Sequence, residues 1–448
     1  LYKRLLQPIP DDAADHWARL ADQAVVIPEQ DATYWYSYTA IVESTWTLVT
    51  PDDTRSCPLP RLLRIVHREL VDRARELVCV IALGTHEYMG PAAIAEWTTG
   101  DPDADPAEVY PRMTIVNHEW RDPSMLVRVG RIGGARIAEL SDGLLSTGCD
   151  VLINRRVVDA DVKIVIGPVL PHEVVGMSGG NKYFIPGVAQ EGFISRTHWV
   201  GALITSSHII GTPAVTPVRA MINEGAAMIP GQRRCIAFVV RSHTTDLESV
   251  SFGTPEEAWG VQAGVGARTH VEYVDEPMRT VLSLIPDRYH DIWTAAKGFY
   301  KVEPAVAAGG EVVLHAPHIT EISQVHHEIG EIGYHCRDYF VKQWDRFSGL
   351  PWGVLAHSTH LRGLGSYDPA AGVEADRVRV TLATGIPRRV CESVNLGYRD
   401  PDTIDPAEWA GREGVTVIPD AGEVLYRLRS GRIDGADGPF TVTSAWPA

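Results

Sequence analysis

His86 and His172 each stand directly behind an apolar run, ELVCVIALGTH over 76–86 and DVKIVIGPVLPH over 161–172. Imidazole titrates near neutrality, so a histidine at such a strand end is well placed for general acid–base work. Two of them can flank one substrate from opposite faces, as inversion of a carbon centre requires; the plainer alternative for each is a loop histidine bonded to a backbone carbonyl. SGGNK at 178–182 reads as a phosphate cradle, in which Ser178, Gly179 and Gly180 bring backbone amides to an anion and Lys182 adds charge. It is not GxxxxGK[ST], so a nucleoside triphosphatase is not supported. By its chemistry Lys182 is a surface lysine or a phosphate ligand. His198, in RTHW, offers an imidazole to a borderline metal, although one histidine does not make a metal site. Asp52 and Arg55, in DDTR, follow the run IVESTWTLVTP and suit anion binding with an orienting carboxylate; the alternative is an exposed ion pair. HSTHLRG at 357–363 has HxxH spacing without the acidic partner of a zincin, and reads as structural or as part of a substrate loop.

The elements that must position these groups alternate. Strand patterns also occur at RCIAFVVR (234–241) and GEVVLHAPH (310–318), and helical patterns at 59–78, 216–229, 254–274 and 290–300. This alternation predicts two α/β domains with mainly parallel sheets. Ligands of such sheets bind beyond the carboxyl ends of the strands, so the active site is expected in the cleft between the domains. The chain of 448 residues exceeds what one core supports. We divide it into an N-terminal cofactor-binding domain (1–270), a C-terminal α/β domain (271–415) and a tail (416–448) that packs back on the first.

The formal net charge of −16 disfavours nucleic acid as a partner while leaving room for a local basic pocket that takes an anionic small molecule. There is no apolar run of membrane-spanning length, and the N-terminal residues lack the apolar core of a signal peptide. Six cysteines without CxxC spacing read as reduced thiols, and the expected location is the cytoplasm.

Taken in order, DDTR (52–55), LGTHEYMG (83–90), VNHEW (116–120), GPVLPHEVVGMSGGNKYFIPG (167–187), RTHW (196–199) and WTAAKGFYKVEPAVAAGGEVVL (293–314) resemble the lactate racemase family, whose founding member uses a nickel-pincer nucleotide. The resemblance implies a racemase or epimerase of 2-hydroxy acids that moves a hydride from C2 to the cofactor and back through a 2-keto acid. It places the covalently modified lysine on Lys182, the nickel ligand on His198 and the acid–base pair on His86 and His172. Asp52 and Arg55 fall near cofactor and substrate, and the substrate-binding lysine falls on Lys297, with Lys301 as rival. Proteins that synthesise the cofactor are implied partners.

Where the lactate enzyme has a glutamine three residues before its substrate lysine, this chain has Thr294, preceded by Trp293. The shorter residue leaves room for a larger substrate, with Trp344, Trp352 and the histidine-rich stretch 315–362 furnishing the pocket. A sugar (aldonic) acid is therefore the first expectation, and a simple aliphatic or aromatic acid such as lactate the alternative. Two other classes compete: a metal-independent isomerase using the histidines directly, and a non-catalytic nucleotide-binding protein.

Overall fold

The structure, a computed structural model, describes residues 44–436; the two ends of the chain, 1–43 and 437–448, lie outside them. The first half of the chain supplies strands β1 (Ser44–Thr50), β2 (Ala74–Ile81), β3 (Met113–Asn117), β4 (Leu126–Ile132), β5 (Cys149–Asn154), β6 (Val162–Pro168), β7 (Pro171–His172), β8 (Gly176–Met177), β9 (Gln232–Val240) and β10 (Leu247–Gly253). Six of them form one sheet in the order β10-β9-β6-β1-β2-β3, parallel throughout except for β10 against β9. Strands covered on both faces read as continuous apolar runs, and every residue of β6 is buried. On one face Trp46, Leu48, Ile164 and Phe238 pack under α1 (Leu59–Leu70), while Val49, Val80 and Val165 enter the larger core on the other.

The second half supplies β11 (Val271–Val274), β12 (Met278–Leu284), β13 (Val306–Ala316), β14 (Gly365–Asp368), β15 (Val373–Asp376), β16 (Arg379–Thr384), β17 (Gly397–Tyr398), β18 (Val415–Ile418) and β19 (Leu425–Leu428). A five-stranded, wholly parallel sheet runs β17-β16-β13-β12-β18. The fold is thus α/β with mainly parallel sheets. Between the two large sheets, β11 pairs with β19 near the end of the described chain, and the Leu425 amide donates to His270 O at 2.9 Å. Residues 415–418 belong to the edge of the second sheet rather than to a separate tail.

Several helices are shorter than their patterns. The expected helix 59–78 stops at Leu70, because 74–81 is drawn into the sheet as β2. That of 254–274 becomes α4 (Pro255–Thr269), fixed at its start by the Thr254–Glu257 capping box, and its last residues become β11. The expected 290–300 helix is two single turns, Ile292–Ala295 and Lys297–Tyr300. Also present are α2 (Glu191–Ile204), α3 (Pro217–Ala227) and α5 (Trp352–Arg362), with α2 and α5 packed together across the two halves. Among the described residues no helix is long and apolar enough to cross a membrane, and all six cysteines are buried and unpaired.

In the first sheet the chain steps outward from β1 through β2 to β3, then returns to the other side of β1 with β6. The order therefore reverses between β1 and β6, and the loops leaving β6, β1 and β2 lie side by side. A topological switch point of this kind opens a crevice at the carboxyl ends of the strands.

Candidate active site

That crevice is a cavity of about 160 Å³ closed by the second half of the chain. The loop after β1 brings Asp52 and Arg55, that after β2 brings His86, and that after β6 brings His172 and Lys182; α2 adds His198. From the second half come Trp293, Thr294, Lys297 and Lys301, following β12, and His357 and His360 on α5.

Asp52 is the hinge of the arrangement. His86 Nδ1 donates to its Oδ2 at 2.5 Å and the Thr54 hydroxyl donates to its Oδ1 at 2.8 Å. Burial by itself would raise the Asp52 carboxyl, but the charge and hydrogen bond of His86, with Arg55 and Lys297, outweigh it and hold the group far below the usual carboxylate range. With Nδ1 bonded to Asp52, Nε2 is the His86 nitrogen left for the substrate, and it is a base whenever the ring is neutral. His172 is 5% exposed. Burial first, then the charges of Lys182 and Arg55, keep its ring neutral by pushing it well below the ordinary imidazole value. The Val174 amide donates to its Nδ1 at 3.1 Å, which puts the neutral ring's proton on Nε2. Glu173 Oε2 lies 3.3 Å from the same Nδ1 and is ready to accept from it if the ring becomes charged.

Lys182 sits on the turn Gly180–Tyr183. Burial and the nearby Arg55 lower its amine to about 7, so a large fraction is uncharged and nucleophilic at neutral pH. His198 Nδ1 donates to Ile194 O one turn earlier in α2 at 2.8 Å, leaving Nε2 as the free nitrogen. Burial pushes its pKa down to about 4, so the ring is neutral, the form a metal requires. Among the described residues no group of three or more His, Cys, Asp or Glu side chains could hold a metal ion. His198 thereby offers a single neutral imidazole nitrogen to the cavity. A reactive buried amine beside a fixed-tautomer imidazole fits a group that attaches to lysine and takes a single protein nitrogen on its metal.

The rivalry between Lys297 and Lys301 has a geometric answer. Lys301 is 4% exposed and donates to Pro171 O at 2.7 Å and Glu423 O at 2.9 Å, so its ammonium is committed to the backbone. Lys297 makes only a long 3.5 Å contact with Thr54 O and lies 4.5 Å from the centre of the Tyr289 ring, which leaves it free for an anion. Burial, then Arg55, lowers its pKa to about 8. Arg55 and three lysines share this cavity with the carboxylates of Asp52, Glu173, Glu191 and Glu423, so the site is densely charged with both signs.

Three expected residues are elsewhere. Ser178, Gly179 and Gly180 do not line the cavity. The Ser178 amide donates to Leu170 O and its carbonyl accepts from the Trp259 indole at 2.9 Å, while Arg219 donates to the carbonyls of Gly179 (2.9 Å) and Met177. The left-handed Gly179 and Gly180 (φ 85° and 58°) shape the turn that carries Lys182. Trp352 is also outside the lining. Its indole donates to Ser348 O and its ring packs near Trp344 and Arg196. Thr294 does line the cavity, with its hydroxyl donated to Asp291 Oδ1 at 2.8 Å as part of the cap of a helical turn. His118 of the VNHEW motif is fully buried between Asn154 and Ala189 O.

Glu173 and the α5 histidines carried only weak signals in the sequence. His357 and His360 share one helix face toward the cavity, which HxxH spacing permits once the segment is helical. His357 stacks on Trp293 at 3.7 Å, and Trp293 stacks in turn on His326 at 4.2 Å.

Fold and site together define an α/β protein with a charged, histidine-lined cavity where the two halves of the chain meet. Residues 36–210 match the family model of the lactate racemase N-terminal domain, so this part of the chain is similar to that family. A crystal structure of a protein from Thermotoga maritima superposes with a TM-score of 0.80 at 28% identity, over 90% of this chain and 99% of that one. The lactate racemase apoprotein from Thermoanaerobacterium thermosaccharolyticum superposes at 0.66 with 16% identity, over 91% of each chain, a likeness of fold. No curated protein matches the chain in sequence.

Proposed function

We propose that this protein is a racemase or epimerase that inverts C2 of a 2-hydroxy acid with a nickel-pincer nucleotide as cofactor. The observation that carries the reading is the convergence of His86, His172, Lys182 and His198 on one cavity that also holds the cations Arg55 and Lys297. Lys182 would anchor the cofactor and His198 would ligate its metal. When bound, the group supplies a hydride acceptor for C2. Arg55 and Lys297 hold the substrate carboxylate by charge. His86 Nε2 takes the hydroxyl proton, and Asp52 stabilises the imidazolium that forms. His172 meets the substrate oxygen as an Nε2–H donor, and with Glu173 at its Nδ1 it carries a proton when the oxygen lies on its side. The apolar walls and the second domain limit water around the reacting carbon. The cofactor would come from dedicated synthesis proteins, in the cytoplasm, where buried free thiols persist.

The test is a panel of 2-hydroxy acids incubated in D2O with nickel-loaded protein, read by chiral separation and NMR. Inversion with the C2 hydrogen retained is expected. Inversion with solvent deuterium at C2, or turnover without nickel, would overturn this reading in favour of direct proton abstraction by the histidines.

A further inference from the structure

Lysine carries its charge on a long, flexible stem, and an ammonium that wanders in a cavity is a poor anchor for an anion. Two contacts steady that of Lys297: the Tyr289 ring, whose centre lies 4.5 Å from Nζ, and the long 3.5 Å contact with Thr54 O. We infer that Tyr289 is the positioning residue of Lys297, its ring face holding the ammonium where a substrate carboxylate meets it, with Gly422 keeping open the slot in which stem and ring lie together. The inference deepens the racemase reading and rests on its assignment of Lys297 to the carboxylate.

An aromatic face attracts an ammonium through the ring quadrupole and takes up none of its N–H donors. Lys301 is the contrast, because its ammonium is committed to Pro171 O and Glu423 O. Lys297, held by a ring, keeps its donors for an anion. The ring itself is fixed. Tyr289 is 2% exposed, its amide donates to Pro286 O at 3.1 Å, and its carbonyl lies 3.1 Å from His318 Nε2. Arg288 Cζ lies 5.2 Å from the same ring centre, and Asp420, paired with that guanidinium at 2.9 Å, offsets its charge. Gly422 closes the other side. Its φ of 115° is one that residues with a Cβ rarely adopt, and a Cβ there would come within 2.9 Å of Lys297 Cβ and of Tyr289 Cε2. The chain after β18 therefore packs directly on stem and ring because this residue is glycine. All three residues line the cavity.

The test compares wild type with Tyr289→Phe, which keeps the ring, and Tyr289→Leu, which removes it. Lysines of the cofactor-free proteins are reductively methylated with carbon-13 formaldehyde, and the Lys297 methyl resonance, assigned with Lys297→Arg, is read by NMR. The ring face should shift this resonance upfield in wild type and Tyr289→Phe, and the shift should vanish in Tyr289→Leu. In the nickel-loaded proteins the substrate is the 2-hydroxy acid of the panel above that wild type inverts fastest. Tyr289→Leu should raise its KM about tenfold with kcat nearly unchanged, and Tyr289→Phe should restore the wild-type KM. An unshifted Lys297 resonance in wild type, the same resonance in Tyr289→Leu, or an unchanged KM in Tyr289→Leu overturns the inference and leaves the racemase reading standing. If Tyr289→Leu does not fold, the wild-type resonance decides together with Gly422→Ala, whose methyl group presses on stem and ring and should move that resonance. Nickel-loaded protein that inverts no acid removes the racemase reading, and the resonance then decides by itself whether the ring holds the lysine.

Discussion

The carboxylate–imidazole pair of Asp52 and His86 decides which nitrogen of His86 faces the substrate. Asp52→Asn preserves the shape of the contact but allows the amide to donate to Nδ1, which moves the ring proton to Nε2 and removes the base. The expected loss in kcat is ~10²–10⁴-fold, similar to His86→Gln, with bound nickel unchanged by elemental analysis. On the proposed reading His198→Ala should do the reverse and lose nickel, because the Nε2 that faces the cavity is gone. Lys182 gives a prediction that needs no cofactor. Its pKa of about 7 lies below the ordinary 10.5, so the nucleophilic amine is present above pH 7 and lost as pH falls through it. Carbamylation of Lys182 by cyanate in the cofactor-free protein, followed by peptide mass spectrometry, should have its midpoint near 7. A midpoint that tracks the ordinary lysine value would show that the amine is not desolvated as described.

Elements hold these residues in place through contacts too close for larger side chains. A Cβ on Gly201 of α2 would come within 3.0 Å of Val174 O and 2.9 Å of a Val174 methyl group, in the hairpin that carries His172. Gly201→Ala must move α2 away from that hairpin and separate His198 from His172. A destabilisation of ~1–3 kcal/mol, read by denaturant titration, should accompany reduced nickel retention. The strand ends that carry Asp52, His86 and His172 were legible in the sequence, because parallel strands buried on both faces leave unbroken apolar runs that end in polar loops. That the SGG turn lies outside the cavity lining was not legible, for the opposite reason. Glycine-rich turns look alike in sequence, and the partners that consume this one, Arg219 and Trp259, lie 40 and more residues away. The direction of α5 was equally hidden, since HxxH reveals a shared face only after the segment is known to be helical. Trp352 at its start faces away from the cavity that His357 and His360 line.

At the scale of the whole molecule, the site exists only while the two halves of the chain stay docked, and Lys301 joins them. From the second half, its ammonium donates to Pro171 O next to His172 and to Glu423 O just before β19. Burial lowers this amine to about 7, so its retention costs stability that the two carbonyl contacts must offset. Lys301→Met keeps the length and apolar stem but leaves both carbonyls without this donor, at ~1–3 kcal/mol each where no water enters. The folded-state pKa lies below the unfolded value, so the unfolded chain binds the proton more tightly between them. The penalty therefore falls as pH rises from about 7 toward 10.5, and wild type should gain stability over that window relative to Lys301→Met. Denaturation midpoints of the two proteins across that pH range check the sign. A difference that stays constant with pH would mean that Lys301 is not the buried, desolvated link between the Pro171–His172 hairpin and the returning chain.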